Sequence, residues 1–140
     1  MIRHAGLIAL RRNGRWEGVL IEGASGSGKS DLALRAIAEG WRLVADDRVI
    51  VWASGGALYG RAPDTLGGLI EAHGVGVLRE PPAAFARLRL LVRDAEPERL
   101  PDPSQIALCG LALPQVSLWL REPSAPAKLR RALEHLGTGG

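Results

Sequence analysis

Residues 23–31 read Gly-Ala-Ser-Gly-Ser-Gly-Lys-Ser-Asp, and the reading of the whole chain turns on them. Gly23, Ala24, Ser25, Gly26, Ser27, Gly28, Lys29 and Ser30 fit the phosphate-loop pattern G-x-x-x-x-G-K-[ST] in full. The flanks are those the pattern requires: a β-branched run ending at Ile21 or Glu22, then the helix formers of DLALRAIAE. Glycines at these positions let successive backbone N–H groups point inward at phosphate oxygens, aided by the positive end of the following helix. Lys29 would neutralise the β- and γ-phosphates of a nucleotide, and the Ser30 hydroxyl would ligate Mg²⁺. The bland alternative is a glycine-rich turn without a ligand.

Working outward, the residues before the loop predict a hairpin. LIALRR and RWEGVLIE flank Asn13-Gly14, a strong two-residue turn signal, so facing residues sum to 27 and His4 falls opposite Gly23. After the loop a helix is predicted over 29–39, with Gly40 as its terminating residue. WRLVADD reads as a buried strand lying parallel beside the loop's own strand. RVIVWA and ALYGR form a further pair turned by Ser54-Gly55-Gly56. The glycines and Pro63 of APDTLGGLIEAHGVGVL predict a functional loop with a short helix. FARLRLLVR is another strand, DAEPERLPDPSQ a surface connection, and IALCG and QVSLWL two short strands around Pro114. A last helix is predicted over 126–136, with Ser124 as its N-cap and Gly137 as its stop. The whole reads as one domain over 1–137 with a disordered tail over 138–140.

Asp46-Asp47 lie 17 and 18 residues beyond Lys29, at the carboxyl end of a strand, where open α/β sheets place their sites. Two adjacent acids there can divide the work, one accepting a proton from an attacking hydroxyl and one holding Mg²⁺. Glu71, with His73 in IEAHGVGV, could add a metal ligand; a solvated side chain is the alternative. The histidines at 4, 73 and 135 have no metal-ligand spacing, and the single cysteine, Cys109, reads as a small core residue.

Bulk properties set bounds. The chain has 140 residues, enough for one domain with a sizeable core, and no apolar run approaches a membrane span. One cysteine and the lack of a signal-like start suit the cytoplasm. The net charge of +3 raises nucleic acid as a partner, but the arginines are scattered among acids and no binding module accompanies them. Lysine occurs only at positions 29 and 128, which makes Lys29 the more telling.

Taken together, GASGSGKSDLAL, GWRLVADDRV and GRAPDTLGGLIEAHGVGVL resemble, in order and spacing, the catalytic domain of HPr kinase/phosphorylase. His4-Ala5-Gly6 resembles that family's histidine strand. The resemblance is good over about residues 4–79 and weak beyond. It implies an α/β fold, the phosphoenolpyruvate carboxykinase-like P-loop kinase arrangement with mixed sheets. It also implies transfer of phosphate from ATP to a serine of an HPr-like phosphocarrier, and reversal using inorganic phosphate with release of pyrophosphate. Carried over, Asp46 would be the base, Asp47, Ser30 and Glu71 would organise Mg²⁺, Lys29 and the loop would hold ATP, and His4 would join them. His73 stands where the family usually has arginine, so a fixed cation becomes one that titrates. The lengths resemble the truncated form of the family known from alphaproteobacteria; the longer members form hexamers partly through segments missing here, so the resemblance leaves a homo-oligomer open. The rival reading is a catalytically weak ATP- or phosphate-sensing module of a phosphotransferase system; a small-molecule kinase or simple ATPase is a third.

Overall fold

Residues 1–64 and 67–138 are described by the computed structural model. A three-residue strand, β1 (Ile2–His4), leads through Ala5 into the predicted hairpin of β2 (Gly6–Arg12) and β3 (Arg15–Glu22). Asn13 (φ 51°) and Gly14 (φ 75°) are both left-handed, the conformation whose twist matches the flanking strands. Facing residues sum to 27 from Arg12↔Arg15 through to Gly6↔Ile21. That register does not continue to His4, which faces Arg48 instead of Gly23. The Ala5 N–H donates to the Asp47 carbonyl (3.0 Å), and this draws β1 out of the hairpin.

The glycine loop opens directly into α1 (Lys29–Ala38), which stops where Gly40 turns left-handed (φ 98°). β4 (Arg42–Ala45) corrects the expected strand order. It pairs antiparallel with β2 and does not touch β3 as a ladder partner. α1 packs across β2 and sets β4 down on its far side. Since β2 is antiparallel to both neighbours, β3 and β4 still run in one direction, and their carboxyl ends emerge at the same end of the sheet.

β5 (Arg48–Ser54) and β6 (Ala57–Arg61) form the expected pair, turned at Gly55-Gly56. Residues 69–79 carry no helix. They form a separate hairpin of β7 (Leu69–Ala72) and β8 (Gly76–Arg79), in which Ile70 and Ala72 are buried and Glu71 is exposed. This two-residue alternation outweighs the glycines, which serve its turn: Gly74 and Gly76 both have positive φ. Thr65 and Leu66, in the same predicted loop, lie outside the described residues.

The strand that does lie parallel beside β3 is β9 (Ala86–Asp94), from Glu17↔Arg87 to Glu22↔Arg93. The other edge of β9 is shared: β6 takes residues 86–87, and β11 (Leu111–Leu118) takes residues 91–94. β10 (Ser104–Leu108) pairs antiparallel with β11 across Cys109-Gly110. Cys109 is therefore no core residue. It is exposed at a left-handed turn position (φ 48°). β11 also runs unbroken through Pro114, because its pairing with β9 begins only at Gln115 and the missing N–H is not needed before that. α2 (Ala125–Thr138) extends through Gly137, one residue past the predicted stop. The expected tail thus begins inside this helix at Thr138, and its last two residues lie outside the described ones.

The sheet curls so that its two faces bury separate cores. One holds Ile8, Ile21, Leu43 and Leu90 under Leu32 of α1 and Leu129 and Leu133 of α2. The other is made by the strands and their connections: Leu7, Leu20, Val44, Val51, Leu88, Leu91 and Leu113 meet inside the curl. Each fully buried leucine contributes about 1.5–3 kcal/mol. With both faces packed, the ends of β3, β4 and β9 are held in fixed relation. The result is an α/β domain with one mixed sheet and a small antiparallel one. No helix among the described residues is long and apolar enough to cross a membrane.

Candidate active site

The glycine loop follows β3 and wraps the amino end of α1. Gly28 (φ 105°) occupies the N-cap position and Gly26 (φ 82°) is also left-handed, conformations that side chains with a Cβ rarely adopt. A Cβ on Gly23 would lie 2.4 Å from Ser27 Oγ, so the concavity of the loop depends on glycine there. Ser27 Oγ is itself buried and has no hydrogen-bond partner among the described residues. An orphaned hydroxyl inside a ring of backbone N–H groups fits an anionic ligand with acceptor oxygens. Lys29 lies across the same loop, its Nζ donating to Gly23 O (2.8 Å) and Ala24 O (3.2 Å).

Ser30, one residue into α1, donates through Oγ to Asp46 Oδ1 (2.7 Å). The second oxygen of Asp46 accepts the Glu71 N–H (3.1 Å). One carboxylate thus ties the loop helix to the β7–β8 hairpin, and both of its oxygens are engaged. Asp47 differs. It is exposed and left-handed (φ 74°), with its carbonyl tied to Ala5, and its carboxylate has no hydrogen bond or ion pair among the described residues. The common direction of β3 and β4 explains how these acids reach the loop although β2 lies between them.

The remaining predicted residues stand around this centre. Glu71 meets Asp46 through its backbone, and its side chain is exposed. His73 is exposed in the β7–β8 turn. His4 is exposed on β1 and, despite the broken register, shares with Gly23, Ala24 and Asp94 a cleft of about 550 Å³. In its wall Glu22 accepts two hydrogen bonds from Arg3 (2.6 and 2.9 Å) and one from Arg93 (3.4 Å). The hydrogen bond to Glu22 raises the Arg3 guanidinium further above its already high pKa, so it stays charged at any working pH. Among the described residues no three acidic, histidine or cysteine side chains converge as a ready-made metal set. The Ser30–Asp46 pair is a donor set of hard oxygens, the kind that suits Mg²⁺ brought in with phosphate.

Two site residues escaped sequence reading. Arg121, from the turn between β11 and α2, donates through Nη2 to Gly26 O (2.6 Å). Asp94, the last residue of β9, lines the cleft and accepts the Leu120 N–H (3.1 Å). No local motif surrounds either one.

The model of the HPr Serine kinase C-terminal domain family matches residues 5–80, more than half of the chain. HPr kinase/phosphorylase of Streptococcus thermophilus is 52% identical over 62 residues, which cover 44% of this chain and 20% of that protein. The Clostridium kluyveri protein of the same name is 49% identical over 61 residues, with the same two coverages. The match therefore spans about a fifth of these relatives' length. Among solved structures, the Hpr(Ser) kinase/phosphatase from Coxiella burnetii superposes with a TM-score of 0.82 over 100% of this chain and 99% of that one, at 22% identity. That likeness concerns the fold, and it bears out the α/β, mixed-sheet class that the resemblance implies. The family match includes the glycine loop, Asp46, Asp47 and Glu71, and the chain belongs to the family of the HPr Serine kinase C-terminal domain.

Proposed function

We propose that this chain is an ATP- and Mg²⁺-dependent protein serine kinase acting on an HPr-like phosphocarrier, with phosphorolysis as the reverse reaction. The observation that carries the reading is the hydrogen bond from Ser30 Oγ to Asp46 beside the glycine loop, with the uncommitted carboxylate of Asp47 next to it. In this reading the loop amides of residues 23–28 and Lys29 hold the phosphates of ATP. Ser30 and Asp46 would hold Mg²⁺, with Glu71 at the margin, and the ion when bound draws charge from the phosphate oxygens as the transferred group loosens.

The geometry favours a division of the two acids opposite to the one the resemblance implied. Asp46 is spent on Ser30 and on the Glu71 N–H, which suits a metal-holding and positioning role. Asp47 is free to accept the proton of an incoming serine hydroxyl, and His4 stands across the cleft from the loop. The serine oxygen then bonds to the γ-phosphorus as the bridging P–O bond breaks, and ADP leaves. In reverse, inorganic phosphate takes the phosphoryl group from phosphoserine, the serine oxygen recovers its proton from Asp47, and pyrophosphate is released.

A protein acceptor is supported by the rim. Ile2 (66% exposed) adjoins His4, Val75 and Val77 (75% and 69%) tip the hairpin that carries Glu71, and Trp119 (49%) precedes Leu120-Arg121. These exposed apolar side chains stand on three chain-distant segments, each of which also brings a residue to the phosphate site, and they suit a macromolecule more than a metabolite. The test is the intact mass of an HPr-like phosphocarrier after incubation with this chain, ATP and Mg²⁺. A gain of one phosphoryl group, absent with Asp47→Asn, supports the reading. ATP binding without transfer would turn it to a nucleotide-sensing module.

A further inference from the structure

The turn at residues 120–122 is held more firmly than its position at the end of a strand requires. Leu120 is fully buried, and its N–H donates to Asp94 Oδ1 (3.1 Å). Its carbonyl accepts from Arg35 Nη2, and Arg35 Nη1 donates to the Glu122 carbonyl (2.9 Å). Arg35 is oriented in turn by Asp31, one helical turn earlier (2.9 Å). The backbone on either side of Arg121 is therefore fixed by side chains from β9, whose Asp94 lies beside Gly23, and from α1, which follows the glycine loop.

Held in this way, Arg121 extends over the loop. Its Cγ lies 2.9 Å from where a Cβ of Gly28 would stand, so Gly28 must be glycine for this stem as well as for its own φ of 105°. Its guanidinium is exposed and uses one N–H on Gly26 O. A guanidinium carries five N–H donors, and among the described residues no other partner takes them. A charged fork at the lip of a phosphate cradle matches a phosphate oxygen better than it matches a carbonyl.

Building on the nucleotide-binding reading above, we propose that Arg35 and Asp94 are positioning residues that present Arg121 to the phosphates of a nucleotide held by the loop. Asp94 does so as an acceptor for one peptide N–H and Arg35 as a double donor to two carbonyls. Neither is required to touch the ligand.

The experiment is calorimetric titration of MgATP into the unaltered chain, Arg121→Ala, Arg35→Gln, Asp94→Ala, Asp94→Asn and the double variants with Arg121→Ala. Arg121→Ala should weaken binding about 10- to 100-fold, as expected for a lost charge-assisted hydrogen bond. Arg35→Gln and Asp94→Ala should each weaken it less, about 3- to 10-fold, because the turn loosens without losing the cation. Asp94→Asn, whose amide oxygen still accepts the Leu120 N–H, should restore binding. In the Arg121→Ala background neither Arg35→Gln nor Asp94→Ala should weaken binding further, since both act through Arg121. Additive losses, or an Asp94→Asn variant as weak as Asp94→Ala, would overturn the proposal while leaving nucleotide binding intact. Failure of the unaltered chain to bind MgATP would remove the site reading and this inference together. Thermal denaturation identifies any variant that does not fold; should Arg35→Gln be one, the Asp94 pair decides alone.

Discussion

Changing the two neighbouring acids one at a time separates the two roles by their response to Mg²⁺. In Asp46→Asn the amide oxygen can keep facing the Glu71 N–H while the amide nitrogen donates to Ser30 Oγ, which then accepts. Both contacts, 3.1 and 2.7 Å in the native protein, survive in kind, so folding stability should change by about 1 kcal/mol or less. What disappears is the negative charge beside the Ser30 hydroxyl. A contact to a charged group is worth about 1.5–3 kcal/mol, or roughly 10- to 150-fold in Mg²⁺ affinity. Asp46→Asn should therefore need that much more Mg²⁺, and saturating Mg²⁺ should return most of its rate. Asp47→Asn removes a carboxylate with no bonded partner, so neither fold nor MgATP affinity should move. Its rate should drop about 10²- to 10⁴-fold, the range for a lost general base, at every Mg²⁺ concentration. The assay is the intact-mass time course of the phosphocarrier across a Mg²⁺ series. An Asp46→Asn chain that stays inactive at all Mg²⁺ concentrations, beside an Asp47→Asn chain rescued by the metal, would refute this division and restore Asp46 as the base.

Gly60→Ala should test the inner core without touching the site. Its Cβ would stand 2.8 Å from Leu7 Cδ2, 3.0 Å from Val49 Cγ1 and 3.1 Å from Leu88 Cδ2, so overpacking should cost about 1–3 kcal/mol in chemical denaturation while MgATP affinity holds. Glu122 has its pKa lowered, first by the hydrogen bond from Lys128 and then by that from Ser124. A depressed carboxyl contributes stability above its unfolded pKa and loses it as pH falls through the folded value, so Glu122→Gln should flatten the acid limb of the melting-temperature profile. Val75→Asp, at an exposed hairpin tip, should raise KM for the phosphocarrier while leaving MgATP affinity and melting temperature unchanged.

What could be read from the sequence was local, and what could not was pairing between distant segments. The hairpin at Asn13-Gly14 and the loop with its helix are encoded within a few residues of one another, and both formed as read. The position of β4 was not legible. WRLVADD is buried enough to pair with either β3 or β2, and the choice depends on how α1 packs. His4 was misplaced because β1 leaves the hairpin for a ladder with β5, next to the hydrogen bond from Ala5 to Asp47, 42 residues away. Residues 69–79 show the reverse error. Their glycines looked like loop punctuation, whereas burial of Ala72 and of Ile70, the latter against α1, decides in favour of a hairpin. Gly137 failed to stop α2 because glycine in a helix costs only about 1 kcal/mol, least of all where the last carbonyls lack partners in any case. Arg121 could not be found at all: its partner on the loop is 95 residues away, and its neighbours give no signal.

The curled sheet brings those distant segments together at one end, and this bears on how the site would treat water. Residues 1–4, 46–47, 71–77, 94 and 119–121 converge there from separate turns. Arg121 reaches over the glycine loop as a single side chain, and the cleft beside it, with His4 and Asp94, opens to solvent. Asp47, exposed and without a bonded partner, would in that condition meet water as readily as a serine hydroxyl. For transfer to prevail over hydrolysis, the acceptor itself must exclude water when it docks, as lids do in other kinases. The exposed rim of Ile2, Val75, Val77 and Trp119 suits that task, since a protein surface seated on it buries apolar area and closes the site in one event. On the proposed function, then, the acceptor completes the active site. Slow hydrolysis of ATP by the chain alone, together with fast phosphorylation once the phosphocarrier is added, is the kinetic signature this architecture requires.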